Sequence, residues 1–173
     1  MFVRHPLERL VSTYRDKFTK KAYYYPQRFG RKIVAAVRGA NASEQSLKRG
    51  HDVTFPEMVA YLLDPPPTAR ARDHLLSDNH WRQQHLLCHP CYVRYDFIGH
   101  HETLHEDAGA VLRALGVADR VRFPATDPNN RWPKKTTEVA AKILAQIGGE
   151  QLRRVKQLYA HDFQLFGYDT DAV

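Results

Sequence analysis

Residues 1–18 read MFVRHPLERLVSTYRDKF. A short apolar step, Phe2-Val3, gives way to Arg4-His5-Pro6 and then to Leu7, Leu10, Val11, Tyr14 and Phe18 at helical spacing. Pro6 falls in the first turn, where its missing N–H costs nothing. The stretch therefore reads as the tail of a buried strand, a tight turn and an amphipathic helix. A helix start offers unpaired N–H groups and the positive end of the helix dipole. Arg4, just ahead of it, adds a permanently charged fork that suits phosphate. Ser12, opposite Leu7 and Val11, can donate a hydroxyl to the same anion. Arg4 with Ser12 thus forms a candidate phosphate clamp; the competing reading is a common Arg near a helix start and a solvated Ser.

The chain has 173 residues, 43% of them hydrophobic, which suits one domain, residues 1–173, with a real core. Lys and Arg outnumber Asp and Glu by 26 to 19, giving a net charge of +7. An anionic partner follows naturally from that balance, although a basic solvated surface explains it equally well. No apolar run approaches the ~18 residues a membrane span needs, and Met1 leads into no signal peptide. A nucleic-acid-binding module would gain only from net charge, since no aromatic–basic recognition motif is present.

Further along, RFGRKIVAAVRG (residues 28–39) predicts a short basic helix closed by Gly39, and residues 40–50 read as a polar loop. Thr54 and Glu57 stand in capping-box spacing at the head of another helix. DPPPTARARD (64–73) reads as an exposed connection. YVRYDFIG (92–99) suits a buried strand. In HETLHEDAGAVLRALG (101–116), Leu104, Val111, Leu112 and Leu115 share a helical face and Gly116 is the stop. TTEVAAKILAQIG and EQLRRVKQLYAHDFQLFGY predict two more helical segments. Strands interspersed with an excess of helix make this an α/β chain.

Four segments then carry a family resemblance. FVRHPLERLVSTYRDKF resembles the 3′-phosphate-binding segment of Golgi carbohydrate sulfotransferases, in the group of HNK-1, chondroitin 4-O- and dermatan 4-O-sulfotransferases. DNHWRQQHLLCHPC, YDFIGHHETLHEDAGAVL and LYAHDFQLFGY resemble three further blocks of that family in the same order. The resemblance implies a helix-rich, P-loop-like sulfotransferase fold. It also implies that Arg4 and Ser12 hold the 3′-phosphate of the sulfonate donor 3′-phosphoadenylyl sulfate (PAPS), with Pro6 setting the turn. PKKTT occupies the family's basic-Thr-Thr stretch, so Lys135 and Thr136 are expected near the donor nucleotide. Two departures stand out: His5 replaces an acidic residue and Leu7 an aromatic one.

Sulfonate transfer needs cationic donors at the leaving phosphate and a base for the acceptor hydroxyl. In the family the first task belongs to a 5′-phosphosulfate loop upstream of the 3′ segment, and no stretch of this chain has that pattern. The expectation is an N-terminally truncated domain, with that loop and a type II membrane anchor absent from it. The implied enzyme is a Golgi-lumenal carbohydrate O-sulfotransferase acting on a glycan or glycosaminoglycan. The favoured hydroxyl is position 4 of N-acetylgalactosamine in chondroitin or dermatan, and the rival is the terminal glucuronic acid of the HNK-1 branch. An inactive polyanion-binding remnant is the alternative of another class.

His80, with Asp78 to orient it, is the candidate base. The competing reading makes His80 and Trp81 packing or glycan-contact residues, with the base elsewhere. Cys88 and Cys91 form the one C-x-x-C, and no matching second pair supports zinc, so no metal is expected. In a lumenal enzyme these cysteines would be disulfide-bonded, to each other or to partners outside the chain. His100, His101 and His105 are read as surface histidines, with His100 standing where the family has Lys. Arg28, Arg31, Lys32 and Arg38 cluster on or beside one predicted helix and either attract a polyanion or are simply solvated. Asn41-Ala42-Ser43 is an N-glycosylation sequon.

Overall fold

The computed structural model describes residues 1–19, 23–125 and 136–171. Strand β1 (Phe2–Val3) pairs in parallel with β2 (Gly99–His100), Phe2 opposite Gly99 and Val3 opposite His100. Around this pair stand helices α1 (Pro6–Phe18), α2 (Arg31–Arg38), α3 (Glu44–Arg49), α4 (Phe55–Leu63) and α5 (Gln84–Cys88). After β2 follow α6 (Leu104–Ala114), α7 (Thr136–Leu144), α8 (Gly149–Leu158) and α9 (Ala160–Leu165). The α/β reading with helix in excess holds. Among the described residues no helix is long and apolar enough to cross a membrane.

Helix α1 carries the centre of the core. Leu7, Leu10, Val11 and Phe18 are buried, and α1 packs against α7. Trp81 is fully buried among Phe18, Tyr25 and Phe29, with ring centroids 5.4 to 6.0 Å away. It is therefore a core residue and offers no face to a sugar. Leu7, the departure from an aromatic, is completely enclosed.

Helix α4 begins with the expected capping box: Thr54 Oγ1 accepts from the Glu57 N–H while Glu57 Oε2 accepts from the Thr54 N–H. Glu57 also takes a forked pair of hydrogen bonds from Arg38, at 2.6 and 2.9 Å, and Arg38 Nη1 reaches Asp52 at 2.6 Å. This network holds α2 to the head of α4. The basic cluster is thereby dispersed into internal contacts. Arg38 is paired as described, Lys32 bonds Asp73, and Arg31 donates to the Leu47 carbonyl.

Three expectations need correction. Residues 40–50 are not a loop throughout: Ser43 caps α3 through the Ser46 N–H, and Gly50 ends it at φ 62°. Gly50 has a second reason to be glycine, because a Cβ there would lie 2.4 Å from the Arg31 nitrogen. YVRYDFIG is not a buried strand. The N–H groups of Tyr92 and Val93 fold back to the His89 carbonyl, leaving Tyr92 88% exposed, and pairing starts only at Gly99. The apolar face of α6 is shallow, since Ala108 alone is fully buried and Leu115, past the helix end, lies in solvent. Helix α5, by contrast, is anchored from far away. Asp162, fully buried, accepts from the N–H groups of Gln84 (2.7 Å) and His85 (2.9 Å) and meets His85 Nδ1 at 2.6 Å.

Two predictions follow from these contacts. Asp162→Ala orphans two buried donors and is expected to lower unfolding free energy by about 3 kcal/mol in urea titration. Glu57 and Asp52 are both held below the usual carboxylate range. For Glu57 the cause is first Arg38; for Asp52, hydrogen bonds from Arg38 and Ser46 together outweigh the upward push of burial. Their stabilisation is full above the ordinary carboxylate pKa and lost as pH falls through the depressed values. Arg38→Gln should therefore flatten the acid limb of the stability–pH curve.

Candidate active site

One flank of α1 carries polar residues at three- and four-residue steps: Arg9, Ser12 and Thr13, then Asp16 and Lys17. Together with Arg4 and His80 they line a cavity of about 260 Å³. From Arg9 to Lys17 the flank runs about 12 Å along the helix axis.

Arg4 is positioned by its backbone. Its N–H donates to Gln84 Oε1 (2.9 Å), and Gln84 Nε2 donates to its carbonyl (2.7 Å). The His5 N–H donates to Glu102 Oε1 at 2.8 Å. The N–H groups of Arg4 and His5 at the helix entrance are thus committed internally. The Arg4 guanidinium makes one long contact, Nη2 to Glu8 Oε2 at 3.4 Å, while its Nε is buried without a partner. Ser12 Oγ has no hydrogen-bond partner among the described residues. Arg4 and Ser12 both line the cavity, a guanidinium with one weak partner and a hydroxyl with none, an arrangement able to receive an anion.

His5, where the family has an acid, does not face this cavity. Its ring lies edge-on between Phe163 and Tyr168, each 5.3 Å away, with Nε2 at 3.2 Å from the Asp169 carbonyl. Glu8 supplies the carboxylate beside Arg4 instead. His100 is likewise structural, its Nε2 bonded to the Phe166 carbonyl.

His80 is held from three sides. Its Nδ1 lies 2.7 Å from Asp78 Oδ1 and 3.0 Å from the Tyr25 hydroxyl, and its backbone N–H also donates to Asp78. Arg28 Nη1 approaches the other Asp78 oxygen at 3.4 Å. With Nδ1 donating to Asp78, the ring would turn the lone pair of Nε2, without a partner among the described residues, outward. Burial and then Asp78 push the Tyr25 hydroxyl above its ordinary pKa, which keeps it neutral. The loop itself is gripped by α1. Arg9 donates to the carbonyls of Arg82 (2.7 Å) and Asn79 (2.6 Å), and Thr13 to that of His80 (3.2 Å). Burial lowers the pKa of Arg9, which nevertheless remains a cation.

Arg4, Ser12 and His80, some seventy residues apart in sequence, therefore share one cavity. Pro6 is buried at the first turn of α1 and does not line it. Thr136 accepts a hydrogen bond from Arg15 Nη1 at 3.3 Å on the α7 side of α1. Lys135 lies outside the described residues. The sequence reading passed over Arg9, Thr13, Lys17 and Tyr25. The i, i+3, i+4 polar spacing along α1 was the available signal for the first three. Lys17 is paired with Asp16 at 2.8 Å, and its ammonium sits 4.7 Å above the Tyr25 ring. Cys88 and Cys91 are not bonded to each other, so of the two expected pairings the one within the C-x-x-C is not formed. Among the described residues no cluster of His, Cys, Asp or Glu could hold a metal ion.

With this geometry in view, comparison with known proteins is direct. Residues 1–169 match the model of the sulfotransferase family. The chain is 40% identical to rat (Rattus norvegicus) carbohydrate sulfotransferase 11 over 98% of its own length and 46% of that protein's. Mouse (Mus musculus) carbohydrate sulfotransferase 14 is 39% identical over 97% of the chain and 41% of the relative. For human (Homo sapiens) carbohydrate sulfotransferase 8 the figures are 37%, 97% and 38%. The chain thus spans less than half the length of these relatives. No solved structure matches. A match over almost every residue, running through the Arg4 turn, the His80 loop and the Asp162 anchor alike, establishes that the chain belongs to the sulfotransferase family.

Proposed function

We propose that this chain forms the 3′-phosphate-binding and acceptor-activating part of a PAPS-dependent carbohydrate O-sulfotransferase. The observation that carries the proposal is that Arg4, whose guanidinium keeps a partnerless N–H, lines one cavity with Ser12 and His80. Arg4 and Ser12 hold the ribose 3′-phosphate, and Arg9 adds positive charge along the same wall. Thr136, tied to Arg15, approaches the nucleotide from the α7 side, and the family resemblance assigns Lys135 to the same nucleotide.

PAPS supplies an activated sulfonate. His80 Nε2 would accept the proton of the sugar hydroxyl as that oxygen bonds to sulfur and the bond from sulfur to the donor's 5′-phosphate oxygen breaks, releasing adenosine 3′,5′-bisphosphate; Asp78 would stabilise the resulting imidazolium. The glycan class is that of the named relatives, which are carbohydrate sulfotransferases. Position 4 of N-acetylgalactosamine in chondroitin or dermatan is the favoured hydroxyl, on the likeness of LCHPC and VRHPLERLVSTYR to that branch. The alternative acceptor is terminal glucuronic acid. A Golgi-lumenal setting, with the protein carried by a type II anchor, agrees with the exposed sequon at Asn41.

Titration calorimetry with adenosine 3′,5′-bisphosphate tests the clamp. Arg4→Ala should weaken binding at least tenfold, the scale of one lost charge-assisted hydrogen bond, about 1.5–3 kcal/mol. Equal affinities would remove Arg4 from the site. For the base, sulfonate incorporation into desulfated chondroitin should fall about 100-fold or more in His80→Ala. Undiminished turnover in that variant assigns proton removal to another group.

A further inference from the structure

A second and larger cavity, of about 590 Å³, opens on the far side of the turn that carries Tyr25. Its volume lies within the range of small-ligand and sugar sites. The polar groups around it divide sharply. Ser43, Ser46 and Asp52 are spent internally: Ser43 caps α3, and Asp52 is held by Arg38 Nη1 (2.6 Å) and Ser46 Oγ (2.7 Å). Arg49, His51 and Gln45 have no hydrogen-bond or ion-pair partner among the described residues. Tyr23, 75% exposed, presents an aromatic face beside them.

The wall bearing Arg49 and His51 is rigid. Gly50 between them holds φ 62°, and a Cβ on Gly30 would lie only 2.1 Å from the Gly50 carbonyl oxygen, so the two backbones are in direct contact. The lining carboxylate, Asp52, is turned onto Arg38 and Ser46. Arg49 is the lining guanidinium without a partner among the described residues, and its fork matches a carboxylate. Tyr23 is also only two residues from Tyr25, at most about 7 Å of chain. The Tyr25 hydroxyl is bonded to His80, a lining residue of the first cavity, while Tyr23 lines the second, so the 23–25 stretch links the two.

We infer that this cavity is a subsite for an acidic sugar, a uronic acid residue of an extended glycan whose reacting hydroxyl lies at His80. Arg49 takes the carboxylate, Tyr23 packs on the sugar face, and Gln27 and Gln45 bond its hydroxyls. The inference rests on the proposed function in that it takes the ligand to be the glycan acceptor.

Calorimetry with an unsulfated chondroitin hexasaccharide and its carboxyl-reduced counterpart tests it without turnover. The protein should bind the native hexasaccharide at least fivefold more tightly than the reduced one. Arg49→Gln should weaken the native ligand at least fivefold and abolish that preference, and Tyr23→Ala should weaken both ligands. Adenosine 3′,5′-bisphosphate affinity should stay unchanged in both variants. The idea is overturned if the wild type does not bind the native hexasaccharide, if it binds the two ligands equally, or if Arg49→Gln binds them as the wild type does. Failure of the donor clamp would show separately, as bisphosphate binding indifferent to Arg4→Ala.

Discussion

One buried carboxylate organises the cavity on α1. Asp162 accepts the N–H groups of Gln84 and His85, so α5 begins at a defined place. Gln84 then spends its side-chain amide on both backbone groups of Arg4, setting where the strand ends and the guanidinium begins. A carboxylate with no solvent contact is tolerated only when its oxygens are hydrogen-bonded, and here the bonding is to three donors. Glu102 repeats the device nearby, taking the His5 N–H on one oxygen and the Tyr168 hydroxyl on the other. Four stretches scattered along the chain thereby converge on one turn.

Helix α1 joins this anchor to the chemistry. Its apolar stripe enters the core with Leu7, Leu10, Val11 and Phe18, while the polar flank a third of a turn away faces the cavity. Arg9 and Thr13 grip three carbonyls of the 79–82 loop, so His80 is referenced to the same helix that carries Ser12. Beneath the loop, Trp81 is packed into the aromatic core, and the Tyr159 hydroxyl donates to its carbonyl at 2.6 Å. His80 is thus placed by a side chain on one flank and by bulk hydrophobic packing below. Such support matters because proton transfer needs heavy-atom contact within a few tenths of an ångström.

Much of this was legible in the residues. The strand–turn–helix of residues 2–18, the capping box at Thr54 and Glu57, the stop at Gly39 and the pairing of Asp78 with His80 are local devices. Each depends on side chains within a few positions of one another. The buried strand expected at 92–99 failed because apolar content alone does not say whether a β partner is present. There the N–H groups of Tyr92 and Val93 were taken by the His89 carbonyl. The helix at 44–49 was hidden by polar composition, although Ser43 and Gly50 mark its two ends. His5 and His100, which stand where the family has other residues, and Trp81, open between packing and glycan contact, turned out to be packing and hydrogen-bonding residues.

The order of residues by itself determined the amphipathic helix after Arg4, the cap chemistry and the kinship to sulfotransferases, because periodicity, turn residues and short motifs are encoded within one or two helical turns. Tertiary structure alone decided that Arg4, Ser12 and His80 share a cavity and that Asp162 reaches α5. It also decided that the Arg38 charge is spent on Glu57 and Asp52 while Arg49 stays unpaired. Those outcomes depend on which distant groups meet once water has been excluded, and that is settled only when the whole core packs.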